Sequence, residues 1–213
     1  MCFATTCIYK RYKQSNFIGI DKNSENIKFC NRYINFNKLN NCKIIDANIE
    51  NEIAAENVDF ILCATVLQYV QNDEKALQNF YNLSKQNGKL ILYVPINGKF
   101  ITKVYKYLFY KYENYETVQN RQRVYTVAQI EQKLCIAGFG NINKTFTYGY
   151  FGLLSNEILN CLFILISNFN FFIKVLACFI LILLFPIIFT LNFIDFFSVK
   201  KDGNGLLIVA EKL

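Results

Sequence analysis

The residues best able to do chemistry sit where apolar runs stop. FIGID ends at Asp21, KIID ends at Asp46, VDFILCA runs into the turn Thr65-Val66-Leu67-Gln68, and KLILYV is stopped by Pro95-Ile96-Asn97. If these runs are parallel strands, their carboxyl ends are where ligands bind. An acid closing such a strand can accept hydrogen bonds from both hydroxyls of a ribose, a bidentate charge-assisted contact. A second acid one strand further on can accept from an exocyclic adenine amine. The bland alternative is that both acids merely cap the helices that follow. Histidine is absent, which removes Ser-His-Asp hydrolysis, His-ligated zinc and His general-base catalysis. The eight cysteines contain no CxxC pair and several lie inside apolar runs, so no metal site is expected and reduced thiols are.

The elements that would position these ends alternate in period. Asn23-Ser24 is a plausible cap for a helix running to about Phe36. Val58 to Ala64 is almost wholly apolar, as a strand buried on both faces should be. Asp73 can cap a helix carrying Ala76, Leu77, Phe80 and Leu83, with Gly88 marking its end and Lys89 to Val94 forming the next strand. Thr126 caps a helix that ends at Gly138, and strands are expected at 142–150 and 206–211. Strand–helix alternation with short connections predicts an α/β fold with a parallel, helix-covered sheet.

Taken in order, these segments resemble class I S-adenosylmethionine-dependent methyltransferases. The stretch NVDFILCATVLQYVQNDEKALQNFYNLSKQNGKLILYVP is similar to that family's fourth strand, helix and fifth strand. FIGIDKNSENI and IIDANIEN match its second and third strand ends, and RQRVYTVAQIEQKLCIAGF is similar to the segment leading to its later helix. The resemblance covers about 17–150 and the strand at 206–211. It implies a Rossmann-like, mostly parallel sheet with an antiparallel edge hairpin, and S-adenosylmethionine as cofactor. It also implies that Asp21 with Lys22 binds the ribose, Asp46 with Ala47 the adenine region, and Ala64, Thr65 and Gln68 the methionine side. Pro95, Asn97 and Tyr125 would border the acceptor pocket. Tyr69 stands where many small-molecule members carry histidine, leaving the catalytic base unassigned. One departure is expected: MCFATTCIYKRYK has no glycine, where the family has its first strand and a glycine-rich turn that only glycine's torsions permit.

A different kind of chemistry begins near residue 151. Val175 to Ile194 is uncharged over a length that could cross a bilayer of ~30 Å, and a second uncharged run, Ile158 to Ile173, precedes it. The domain reading is therefore a methyltransferase-like domain from 1–150 and 205–213, interrupted by a hydrophobic helical insertion at 151–204. Because the flanking strands should pair, both ends of the insertion return to one side. A single crossing is thus forbidden, and a two-crossing hairpin, an interfacial hairpin or a buried lid remains open. The net charge of +7 has its basic residues concentrated between Lys99 and Lys111 and between Arg121 and Lys144, interleaved with aromatics. A solvated surface, an anionic membrane and, less favoured, nucleic acid all fit. The N-terminus lacks the apolar core of a signal peptide. The reading is a cytoplasmic, membrane-associated methyltransferase acting on an apolar or lipid-like small molecule. Its alternatives are a non-catalytic remnant of the fold and an RNA methyltransferase.

Overall fold

A computed structural model of the chain describes residues 14–51, 53, 55, 57–96, 100–112 and 122–213. Two compact units are present, Met1–Glu56 and Asn57–Leu213. The expectation about a missing first strand and glycine-rich turn falls on 1–13, outside the described residues.

The first unit holds β1 (Phe17–Asp21), α1 (Ser24–Phe36) and β2 (Cys42–Asp46). β1 and β2 pair in parallel from Phe17 opposite Cys42 to Asp21 opposite Asp46. As expected, α1 starts at Asn23, whose side chain accepts from the amides of Glu25 and Asn26 and so satisfies two otherwise orphaned donors. Cys30 of this helix is disulfide-bonded, which corrects the expectation that all the thiols are reduced. Cys42, Cys63, Cys135, Cys161 and Cys178 are free.

The second unit contains β3 (Val58–Ala64), a single 3-10 turn (Leu67–Tyr69), α2 (Asp73–Leu83), β4 (Ser84–Pro95) and α3 (Lys103–Lys111). It continues with α4 (Val127–Ile136), β5 (Phe139–Phe146), α5 (Tyr150–Asn168), α6 (Phe171–Phe197) and β6 (Gly205–Lys212). The sheet order is β3-β4-β6-β5, with β3 and β4 parallel and β6 antiparallel to both its neighbours. Strand alternation explains the core. Leu90, Leu92 and Val94 of β4 stand opposite Ala210, Ile208 and Leu206 of β6, and all six have 0% exposure. α2 packs on β4 and α4, while α4 packs on β5. Their buried residues Ala76, Leu77, Phe80, Ile130 and Leu134 supply the covering apolar layer.

Four local readings change. The α2 cap is Asn72, which accepts from the Lys75 amide, because Asp73 is drawn inward by basic partners. β4 begins at Ser84 and carries Gly88 within it, and β5 begins at Phe139, three residues earlier than the pattern suggested. β3 is not buried on both faces: Phe60 is 66% and Leu62 46% exposed. Among the described residues β3 pairs with β4 alone. α4 ends where it was expected to, since Gly138 adopts φ 101° and a Cβ there would lie 2.8 Å from the Tyr81 ring.

Candidate active site

In the first unit, β1 and β2 deliver Asp21 and Asp46 to directly opposed positions at their carboxyl ends. The Asp21 carboxylate anchors the start of α1: one oxygen accepts from the Asn23 amide at 2.9 Å and the other from the Asn26 side chain at 3.1 Å. Each oxygen so keeps a further lone-pair direction. The capping alternative and a ligand-binding role are therefore compatible at Asp21. Asp46 and Lys22 are exposed, and the Ala47 amide donates to the Asp21 carbonyl at 3.2 Å.

In the second unit, several predicted residues converge at one end of the sheet. Ala64 and Thr65 are exposed at the end of β3, and Thr65 takes a left-handed φ of 54° while its amide donates to the Tyr93 carbonyl at 2.9 Å. A β-branched residue held there stores strain of the kind that marks functional turns. The 3-10 turn then folds Leu67 and Gln68 inward. Gln68 is 2% exposed, and its side-chain oxygen is buried without a partner. Tyr69 is half-buried beside it. Pro95 closes β4, and the next residue, Ile96, bridges to Tyr125. Asn97 lies outside the described residues.

Tyr125 is 2% exposed and its hydroxyl is committed: it donates to Asp73 at 2.9 Å and lies 3.2 Å from the Leu67 carbonyl. Burial, reinforced by the Asp73 carboxylate, pushes this phenol well above the usual tyrosine range. It acts as a neutral donor that ties the 122–125 segment to the turn. Sequence reasoning missed the network behind it. Asp73 receives Arg123 at 3.2 Å and Lys133 at 3.1 Å, and Lys133 also reaches Glu74 at 2.6 Å. Burial alone would raise the Asp73 carboxyl, but the Tyr125 hydrogen bond and the two cations outweigh it and hold it below the ordinary carboxylate range. Arg123 also donates to the Gln71 carbonyl at 2.6 Å. Cys63, under the same turn, has its thiol pushed up to about 12 by burial and is no nucleophile at neutral pH.

Between β5 and β6 stand α5 and α6, roughly 28 and 40 Å long at 1.5 Å per residue. Both are long and apolar enough to cross a membrane, and only 11% of the α6 window is buried. Two buried acids fasten this hairpin. Asp195 at the end of α6 accepts from the Gly149 amide at 3.2 Å, capping α5, and is itself met by Lys200. A Cβ at Gly152 would approach its carboxylate to 2.7 Å, so the close passage of the two helices needs glycine there. Glu157, midway along α5, accepts from the Ile101 and Thr102 amides and the Thr102 hydroxyl at 2.6, 2.7 and 2.7 Å. These bonds fix the start of α3 against α5. Asn160 meets Tyr105 at 3.5 Å, and the Tyr112 ring lies tilted against Phe169 with centroids 5.5 Å apart. α3 therefore runs alongside the second half of α5, as far as the hairpin turn.

Parallel strand pairs, with acids at the strand ends of the first unit and an antiparallel closing strand in the second, are features of class I methyltransferases. A family described as "Methyltransferase domain" matches residues 3–147, and the chain belongs to it. S-adenosylmethionine is the cofactor this membership implies. Solved structures share the fold. The S-adenosylmethionine-dependent methyltransferase from Thermotoga maritima is 14% identical with TM-score 0.53, over 92% of this chain and 72% of that one. MccD protein is 15% identical with TM-score 0.61, over 99% and 85%. The cyclase SpnF is 10% identical with TM-score 0.56, over 99% and 72%. At such identities the likeness speaks for the fold alone, and a cyclase among these structures shows that the fold does not fix the reaction. No curated protein matches the chain.

Proposed function

We propose that the protein transfers a methyl group from S-adenosylmethionine to an apolar, lipid-like small molecule at a membrane surface. The observation that carries this reading is an outward-facing apolar hairpin inserted between two sheet strands of a methyltransferase domain. Each unit by itself offers residues that suit the cofactor: in the first, Asp21 keeps unused lone pairs at a strand end; in the second, Gln68 holds a buried oxygen with no partner. Asp21 with Lys22 would hold the ribose, and Asp46 with Ala47 the adenine. Ala64, Thr65 and Gln68 would hold the methionine portion, with Tyr69, Pro95, Asn97 and Tyr125 on the acceptor side. The cofactor supplies an electrophilic methyl group, so the chain's task is to position and to exclude water. Tyr125 serves by fixing the turn, since its proton stays on oxygen.

The arrangement of α3 favours a hairpin lying in one leaflet. β5 and β6 are neighbours, so both helix ends return to one side. Were α5 to cross, α3 would be carried with it, and Lys103, Lys106 and Lys111 would enter hydrocarbon at ~2.5–3.5 kcal/mol each near the midplane. An interfacial hairpin incurs no such cost.

The test is transfer of tritiated methyl from S-adenosylmethionine to a membrane lipid extract by the full chain on vesicles. Label in an organic-phase small molecule, lost in Asp21→Ala, is expected. Label confined to water-soluble acceptors would contradict the apolar-acceptor reading.

A further inference from the structure

α3 carries three lysines among four aromatic residues and no acid. Its sequence, KVYKYLFYK, has Lys103, Lys106, Tyr107, Tyr110 and Lys111 lining an open groove of about 490 Å³. Tyr107 is 61% and Tyr110 56% exposed. Within the groove Lys111 lies 3.3 Å from the Tyr107 hydroxyl and 5.4 and 5.6 Å from the Tyr107 and Tyr112 ring centroids. The aromatic face thus pre-orders one ammonium while Lys103 and Lys106 remain exposed. Glu157, the acid that meets the start of this helix, is 2% exposed and spent on the Ile101 and Thr102 amides. Among the described residues no acid pairs with Lys103, Lys106 or Lys111, and the outward face of the helix presents positive charge.

We infer that this groove binds the headgroups of anionic phospholipids and sets the depth and orientation of the hairpin. The inference rests on the membrane reading above. Two features of the structure select a lipid surface over a free anion or a nucleic acid. First, the groove is fixed against α5, whose partner α6 exposes Phe179, Ile182, Leu183 and Phe185 at 58–70%. Cations and apolar surface are thus held on one rigid helical layer. Second, tyrosines interleaved with lysines suit the interfacial zone, where an aromatic ring is half in hydrocarbon and its hydroxyl wet. α3 then lies at headgroup level while α6 beds into the acyl boundary.

The full chain is floated with vesicles of phosphatidylcholine alone, and with about 30% phosphatidylglycerol to supply a negative surface potential. Each lysine near such a surface strengthens binding about five-fold, so K103Q/K106Q/K111Q should weaken binding to the anionic vesicles roughly 100-fold. Weak binding to the neutral ones should be unchanged. Circular dichroism checks that the variant keeps its helices. Because the chain has no tryptophan, Tyr110→Trp and Ile182→Trp supply a second readout with brominated lipids. Deep bromines should quench the Ile182→Trp variant and spare the Tyr110→Trp variant. Equal binding of the parent to both vesicles would overturn the inference and leave the membrane reading standing. No binding to either would overturn both. Displacement from anionic vesicles by millimolar inorganic phosphate or by RNA would show that the groove is not selective for a lipid surface, and would overturn the inference too.

Discussion

The apolar residues of β4 and β6 and those of α6 are of the same kinds, yet they meet opposite surroundings. Leu90, Leu92, Val94, Leu206 and Ile208 are fully buried, whereas Phe172, Ile182, Leu183 and Phe185 are 60–82% exposed. In the sheet, alternate residues converge on a layer covered by α2 and α4, so composition and burial agree. In α6 the residues buried are Ala177, Ile188 and Asp195, a narrow seam facing α5, and the remainder of an apolar cylinder faces outward. A helix apolar all round needs an apolar environment on every side. The two buried acids of the hairpin are both spent on backbone amides at helix starts, Asp195 on Gly149 and Glu157 on Ile101 and Thr102. The contrast teaches that apolar composition alone does not say what covers a residue: the sheet is covered by its own chain, while the outward face of α6 is not covered by the described residues.

The largest effect should come from removing the region without a cover. Replacing 160–192 by a short Gly-Ser linker retains both Glu157 and Asp195, and should move the protein from the membrane pellet to the high-speed supernatant with the sheet intact by circular dichroism. Recovery of the parent chain in the supernatant without detergent would show that α6 is covered by protein instead. Next in size, Leu92→Ala should cost ~2–5 kcal/mol in denaturant unfolding, because it empties a fully packed site. Ile182→Ala, in detergent, should change stability by less than about 0.5 kcal/mol. Similar losses at the two sites would erase the distinction between the regions.

A smaller effect sharpens the sheet side of the comparison. Asp73→Asn takes the Asp73 carboxylate from Arg123 and leaves Lys133 with Glu74 alone, and should cost about 1–3 kcal/mol at pH 7, the partial exposure of both cations limiting the loss. The folded carboxyl titrates below its ordinary value, so its contribution is present above the unfolded value of ~3.9 and is lost as pH falls through the folded one. Stability of the parent should therefore drop below about pH 4 with a component that the variant lacks. Parallel acid profiles for the two proteins would mean that the Asp73 cluster is electrostatically idle.

Much of this was legible in local spacing. Asn23 and the Thr126–Gln129 capping box sit at the helix starts the pattern marks. The Asp21 and Asp46 strand ends fall opposite one another, because apolar runs ending in acids carry that information locally. The Asp73–Tyr125–Arg123–Lys133 cluster was not legible, since its members lie some 50–60 positions apart and no local period connects them. Asp73 looked like a cap because it begins a helix, and only packing reveals that Asn72 has that role. Glu157 and Asp195 left a readable signal as lone acids within apolar runs, where an unpaired carboxylate would be untenable. The exposed face of β3 could not be read from its composition, because a strand covered on one face and a strand covered on both can share the same apolar run.

The central claim is that this is a methyltransferase whose cofactor is held at the Asp21 strand end. It is tested most directly by calorimetric titration of S-adenosylmethionine into the vesicle-bound parent and into Asp21→Ala. Two charge-assisted hydrogen bonds of about 1.5–3 kcal/mol each are at stake. The account predicts saturable binding by the parent, and at least a 100-fold loss in the variant with an unchanged circular dichroism spectrum. Equal affinity in the two proteins, or no binding by the parent, would contradict it.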